Sequence, residues 1–161
     1  MILSKPCKIL SLFFVLLPLC SCKTSKEVAY KQADEVVLYA AQFLNTPYRY
    51  GGATPQGFDC SGYVQYVYRK FGYTLPRTVS DQMKQGFKVK NKNLKPGDLV
   101  FFKGRDIKSR TAGHVGMVVQ ARKNGQFLFI HASNSGVKID DSRQTYYQPR
   151  YIGAKRIIYR K

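Results

Sequence analysis

The stretch from Tyr48 to Phe71 constrains this chain most, because its character changes at a single residue. Tyr48 to Phe58 is rich in Gly and Pro and reads as a loop. From Asp59 onward the apolar positions are Cys60, Tyr63, Val64, Val67, Tyr68 and Phe71, the spacing of one buried helix face. Asp59 suits the N-cap, where its carboxylate accepts from the free amides of the first turn, and Gly72 suits the exit. Cys60 therefore opens the helix, where the positive end of the dipole favours thiolate over thiol. Asp59 beside it works against that ionisation, so a helix start alone does not make an activated nucleophile.

Around this stretch the pattern separates into helices first and strands after. Ala29 to Leu44 predicts a helix with Ala33, Val36, Val37, Ala40, Ala41 and Leu44 on one side, stopped by Asn45-Thr46-Pro47. Ser80 to Gln85 predicts a short helix closed by Gly86. Then the period becomes two. Strands are expected at Phe87 to Val89, Leu99 to Phe102, His114 to Ala121, Gln126 to Ala132, Val137 to Asp140 and Ala154 to Tyr159. The fold class is α+β, N-terminal helices packed on an antiparallel sheet of five or six strands.

The N-terminus bears on where such a domain works. Two lysines and no acid precede an apolar run from Ile9 to Cys20, too short to span a bilayer and suited to the core of a secretory signal. The segment ends Leu19-Cys20-Ser21-Cys22 and resembles a bacterial lipoprotein processing site, with Ser21 before a lipid-modified Cys22; an ordinary signal peptide cut elsewhere is the alternative. Residues 1–21 are thus expected to leave, 22–28 to form a lipid-anchored linker and 29–161 to fold as one domain. Lipid at Cys22 is expected to hold the protein in the bacterial cell envelope, at the outer membrane facing the periplasm with the inner membrane left open, without a transmembrane helix. Lys and Arg outnumber Asp and Glu by 27 to 9, for a net charge of +18, which implies affinity for an anionic partner. Export excludes nucleic acid and leaves a phospholipid surface or an acidic polymer. A monomer is expected.

Cys7 and Cys20 leave with the signal and Cys22 carries lipid, so Cys60 is the one free thiol of the mature domain. The two histidines, His114 and His131, lie on strands joined around Asn124-Gly125. A two-residue turn sets His131 opposite Val118 and His114 opposite Ser135, with both imidazoles on one side of the sheet but about 13 Å apart along the strand. A slip of two residues, through a larger loop or a bulge, makes them diagonal neighbours at roughly 7–8 Å, within reach of each other. Cysteine catalysis needs a thiolate, a base, and a third group that fixes the base's tautomer. Cys60, His114 and His131 supply one of each, and the Cys60 amide offers an oxyanion donor.

The ordered stretches Pro47-Tyr48-Arg49-Tyr50-Gly51-Gly52, Asp59-Cys60-Ser61-Gly62-Tyr63-Val64, Leu75-Pro76-Arg77-Thr78, Pro96-Gly97-Asp98-Leu99-Val100, Gly113-His114-Val115-Gly116 and Ile130-His131-Ala132-Ser133 span residues 44 to 158. Together they resemble the NlpC family of papain-like bacterial cell-wall cysteine peptidases, and within it the small single-domain lipoproteins of Spr type, which are murein endopeptidases. The resemblance implies Cys60 as nucleophile, His114 as general base, His131 as its orienting partner and Tyr48 as a hydroxyl donor near the oxyanion. It also implies Asp59 and Ser61 as peptide contacts and Arg77 as a carboxylate contact. The implied substrate is a peptidoglycan stem peptide or cross-link, and neither metal nor cofactor is implied. No counterpart of the N-terminal SH3-like domain of the γ-D-glutamyl-cleaving relatives is expected here, and endopeptidase action on intact polymer is the expectation that follows. A catalytically silent peptidoglycan-binding lipoprotein and an amidase or acyltransferase on the same scaffold stay open. Taken singly, Asp59 is explained as a helix cap and Tyr48 as a packed aromatic.

Overall fold

A computed structural model describes residues 25–158. The expected signal, Cys22 and Tyr159 at the end of the last expected strand lie outside the described residues. Helix α1 runs Ser25–Ala41. Residues 25–28, expected in the linker, are helical, since polar Ser-Lys-Glu suits a first helical turn as well as a loop, with Glu27 at its favoured end. The helix also ends three residues early. Gln42, Phe43 and Leu44 bond back three residues instead of four, and Asn45 then takes a left-handed φ of 67°.

The loop that follows holds a two-stranded ribbon absent from the sequence expectation, β1 (Ala53–Thr54) and β2 (Gly57–Phe58). Helix α2 is Cys60–Arg69, with Asp59 as N-cap accepting from the Gly62 amide at 2.7 Å. Its backbone comes so close to the loop that a Cβ on Gly62 would sit 2.1 Å from the Gly52 carbonyl oxygen. Helix α3 is the short Val79–Gln82. Its buried Gln82 donates to the carbonyls of Ser61 and Pro76, propping the first turn of α2.

The remaining strands are β3 (Phe87–Val89), β4 (Leu99–Lys103), β5 (Ala112–Ala121), β6 (Phe127–Ser133), β7 (Gly136–Asp141) and β8 (Tyr151–Arg156). They form one six-stranded antiparallel sheet in the order β3-β8-β4-β5-β6-β7. Its two faces bury different sets. Leu99, Phe101, Val115, Met117, Ile130 and Ala132 pack against Val36, Ala40, Tyr63, Val64 and Tyr68 of the helices. Val100, Phe102, Val118, Phe127 and Phe129 pack on the other face with Val89, Leu94 and Tyr147. The Pro96-Gly97-Asp98 turn ties α2 to the sheet: Tyr68 donates its hydroxyl to the Gly97 carbonyl, and buried Asp98 holds Arg156 through two hydrogen bonds of 2.7 and 2.8 Å.

Candidate active site

The two imidazoles meet because the β5–β6 hairpin departs from the minimal turn in two places. Arg122 and Gln126 close a three-residue loop by a 2.8 Å hydrogen bond, with Gly125 at φ 82°. A second residue is absorbed by a bulge between Val118 and Gln120. Beyond it Val118 faces Phe129 and Met117 faces Ile130, two residues away from the two-residue-turn register. Continuing this register sets Gly116 opposite His131 and makes His114 its diagonal neighbour. His114 Nε2 lies 2.8 Å from His131 Nδ1, the rings perpendicular with centroids 4.9 Å apart. Gly116 is required at that crossing: a Cβ there would stand 2.6 Å from the Phe129 ring and 3.2 Å from the His131 Cβ.

By alternation both histidines belong to the sheet face that carries Val100, Phe102 and Phe129, opposite the face covered by the helices. Cys60 nevertheless lines the same groove, of ≈ 670 Å³, as His114 and His131. The backbone at Val115, the residue after His114, and at Ser61 and Cys60 itself favours the charged form of its sulfur. Burial raises the thiol above its ordinary pKa, the backbone dipoles oppose the rise, and the Asp59 charge adds to it. Burial and the neighbouring His131 push His114 well below the ordinary histidine range. His131, fully buried, is lowered chiefly by desolvation, with Asp140 opposing. Each charged form is thus penalised when considered singly.

Tyr48 lines the groove, and among the described residues its hydroxyl has no hydrogen-bond partner. Burial raises its pKa, followed by the charges of Cys60 and Asp59, so the hydroxyl stays protonated and able to donate. Asp59, Ser61 and Arg77 come together in a separate cluster that does not line the groove. Arg77 donates to Asp59 Oδ1 at 3.0 Å, to Oδ2, and to Ser61 Oγ at 2.8 Å, while Gly51 N–H and Ser61 Oγ also donate to the Asp59 carboxylate. Burial opposes the Asp59 charge, but Arg77 and the Gly62 amide overcome it and hold the carboxyl below its usual range. In this state the Arg77 guanidinium is committed to Asp59.

Two residues absent from the sequence expectation stand behind His131. Asp140 Oδ2 lies 2.9 Å from His131 Nε2 and accepts from the Tyr147 hydroxyl at 2.8 Å. A two-residue turn at Asn134-Ser135 was the available signal, since it pairs His131 with Lys138 and sets Asp140 two residues further on the same face. Tyr147 has no such signal, lying outside any strand. The groove's charged lining is basic, Lys103, Arg105 and Lys138. Among the described residues no group of three or more His, Cys, Asp or Glu could hold a metal ion, and no helix is long and apolar enough to cross a membrane.

Residues 45–156 match the model of the NlpC/P60 family. The chain is 39% identical over 139 residues to the gamma-DL-glutamyl hydrolase of Bacillus subtilis (strain 168), covering 83% of this chain and 32% of that protein. It is 39% identical over 122 residues to the murein DD-endopeptidase MepS/murein LD-carboxypeptidase of Escherichia coli (strain K12), covering 74% of this chain and 60% of that protein. The chain therefore spans from a third to three fifths of the length of these relatives. Among solved structures, an NlpC/P60 family protein from Bacillus cereus ATCC 10987 superposes with a TM-score of 0.70 at 31% identity, over 79% of this chain and 40% of that one. The NlpC/p60 domain of the peptidoglycan hydrolase SagA superposes at 0.63 and 27% identity, over 76% and 97% of the two chains.

Proposed function

Because the chain belongs to the NlpC/P60 family, we propose that it is a cysteine peptidase that hydrolyses peptide bonds of peptidoglycan stems or cross-links, acting as a murein endopeptidase. The observation that carries this reading is the groove that Cys60 shares with His114, an imidazole whose Nε2 is held 2.8 Å from His131. In the first half-reaction His114 takes the Cys60 proton as sulfur attacks the stem carbonyl, so thiolate and imidazolium appear together and compensate each other's burial. The oxyanion is met by the Cys60 amide at the helix start and by the free hydroxyl of Tyr48. Collapse breaks the C–N bond, and His114 returns its proton to the leaving amine. In the second half-reaction His114 deprotonates a water that attacks the thioester, and the proton passes back to sulfur as the acid leaves.

The basic lining suits a substrate with free carboxylates, and Asp59 and Ser61 remain candidates for contacts further along the peptide. With Arg77 bonded to Asp59, a role for it toward a substrate carboxylate requires that ion pair to open. Lipid on Cys22 would tether the domain at the outer membrane facing the periplasm, as a monomer. Only Lys23 and Thr24 separate that position from α1, a reach of roughly 10 Å.

The test is digestion of purified sacculi with muropeptide analysis by mass spectrometry. New peptide termini are expected with the native chain and none with Cys60→Ala. Equal product from both would sink the proposal, and binding without cleavage by the native chain would make it a silent wall-binding lipoprotein.

A further inference from the structure

Asp140 is placed where a carboxylate governs hydrogen positions two residues away. Four side chains place a polar atom on it that can donate: His131 Nε2 at 2.9 Å, Tyr147 Oη at 2.8 Å and Lys138 Nζ at 3.0 Å on Oδ2, and Gln144 Nε2 at 3.3 Å on Oδ1. The hydrogen bond from His131 is the first of the causes that keep its carboxyl well below the ordinary range, so it is ionised at neutral pH and only accepts.

We infer that Asp140 is a positioning residue that sets the tautomer of both imidazoles, so that the chain Asp140–His131–His114 leaves Nδ1 of His114 bearing the lone pair for the Cys60 proton. A neutral imidazole has one donor and one acceptor nitrogen. Ionised Asp140 requires the hydrogen on His131 Nε2, which makes His131 Nδ1 an acceptor. His114 Nε2, 2.8 Å away, must then donate, and its own hydrogen is thereby used. Nδ1 is the nitrogen left. Burial of His131 favours this neutral arrangement over a cation that would donate from both nitrogens.

Tyr147 makes the role of Asp140 specific. Its hydroxyl is also 3.3 Å from His131 Nε2 and is diverted from it by donating to Asp140. Without the carboxylate, Tyr147 donates to His131 Nε2, the hydrogen moves to His131 Nδ1, and His114 Nε2 becomes the acceptor. His114 then points an N–H at the thiol, and the base is lost.

The inference rests on the proposed function only in taking Cys60 as nucleophile, and its test needs no wall substrate. The chain has two histidines, so long-range ¹H–¹⁵N spectra of the ¹⁵N-labelled protein hold two imidazole systems. At pH 7.5 both are expected as Nε2–H tautomers, and Asp140→Ala is expected to convert His131 to Nδ1–H. Asp140→Asn, whose carbonyl can face the same donors, is expected to keep the native tautomers. Alkylation of Cys60 by iodoacetamide is expected to slow by about 100-fold in Asp140→Ala, on the scale of a lost general base. It should change less than tenfold in Asp140→Asn and recover in part when Tyr147→Phe is added to Asp140→Ala. An Nδ1–H tautomer at His131 in the native chain, or native tautomers with native alkylation in a folded Asp140→Ala, overturns the inference. If Asp140→Ala does not fold, the native and Asp140→Asn spectra decide. Native Nε2–H tautomers in a protein that leaves sacculi uncut would refute the peptidase reading while sustaining this one.

Discussion

Gly116→Ala isolates the packing that brings the two histidines together. The added Cβ would stand 2.6 Å from Phe129 Cδ2, 3.1 Å from the Ile130 carbonyl oxygen and 3.2 Å from His131 Cβ. Carbon–carbon contact is most favourable at about 3.5–4.0 Å, so the β6 side of the crossing must retreat by roughly 1 Å. His131 rides on that strand, and the same displacement takes its 2.8 Å bond to His114 beyond about 3.5 Å, where it no longer counts as a hydrogen bond. Overpacking of this kind costs about 1–3 kcal/mol, which lowers the melting temperature by roughly 3–10 °C in a domain of this size. The effect on chemistry is expected to be larger, because a misplacement of about 1 Å can cost on the order of 100-fold in rate. Calorimetry measures the first, and sacculus digestion with Cys60 alkylation measures the second. A variant with native melting temperature and native rates would refute the claim that the bare Cα of Gly116 makes room for the histidine pair.

Asp59→Asn removes the negative charge beside Cys60 and is expected to speed iodoacetamide alkylation of the thiol at pH 7 several-fold, while costing about 1 kcal/mol for the weakened cap and ion pair. Slower or unchanged alkylation in urea-verified folded protein would contradict it. Both histidines have folded pKa values below the unfolded value, so the unfolded chain binds more protons and stability must fall as the pH drops below about 6.5, with Asp140 adding a further loss below about pH 4. Urea unfolding between pH 7.5 and 5 checks this, and a flat profile would count against neutral buried imidazoles. Arg105→Glu reverses one of the groove's exposed positive charges and is expected to lower kcat/KM on carboxylate-bearing muropeptides roughly three- to tenfold at low salt, fading at high salt; a salt-independent loss would point to misfolding of the rim instead.

Much of the site was legible because its parts are local or periodic. Cys60 at a helix start follows from the 3.6-residue spacing and from Asp59, whose capping bond is present at 2.7 Å. The same-face placement of the histidines follows from the period of a strand, and the need for a longer hairpin follows from their separation. Neither the loop nor the bulge could be chosen from the sequence, since each inserts one residue and the two have the same effect on register. In the protein the slip is shared between them. Asp59 is legible as a cap but not as the partner of Arg77, eighteen residues further on, for which the resemblance implies a substrate carboxylate.

Residue order by itself determined the α+β class, the helix that opens at Cys60, and the placement of His114 and His131 on one face of the sheet. Periodicity reports which residues share a face, and capping reports where a helix begins. Tertiary structure decided which face the histidines take, and it is the one opposite the helices. It also decided that Asp140 and Tyr147 stand behind His131, and that Arg77 is bonded to Asp59. These depend on the register and crossing of segments far apart in the chain, where close packing around Gly116 and Phe129, not local preference, selects the arrangement.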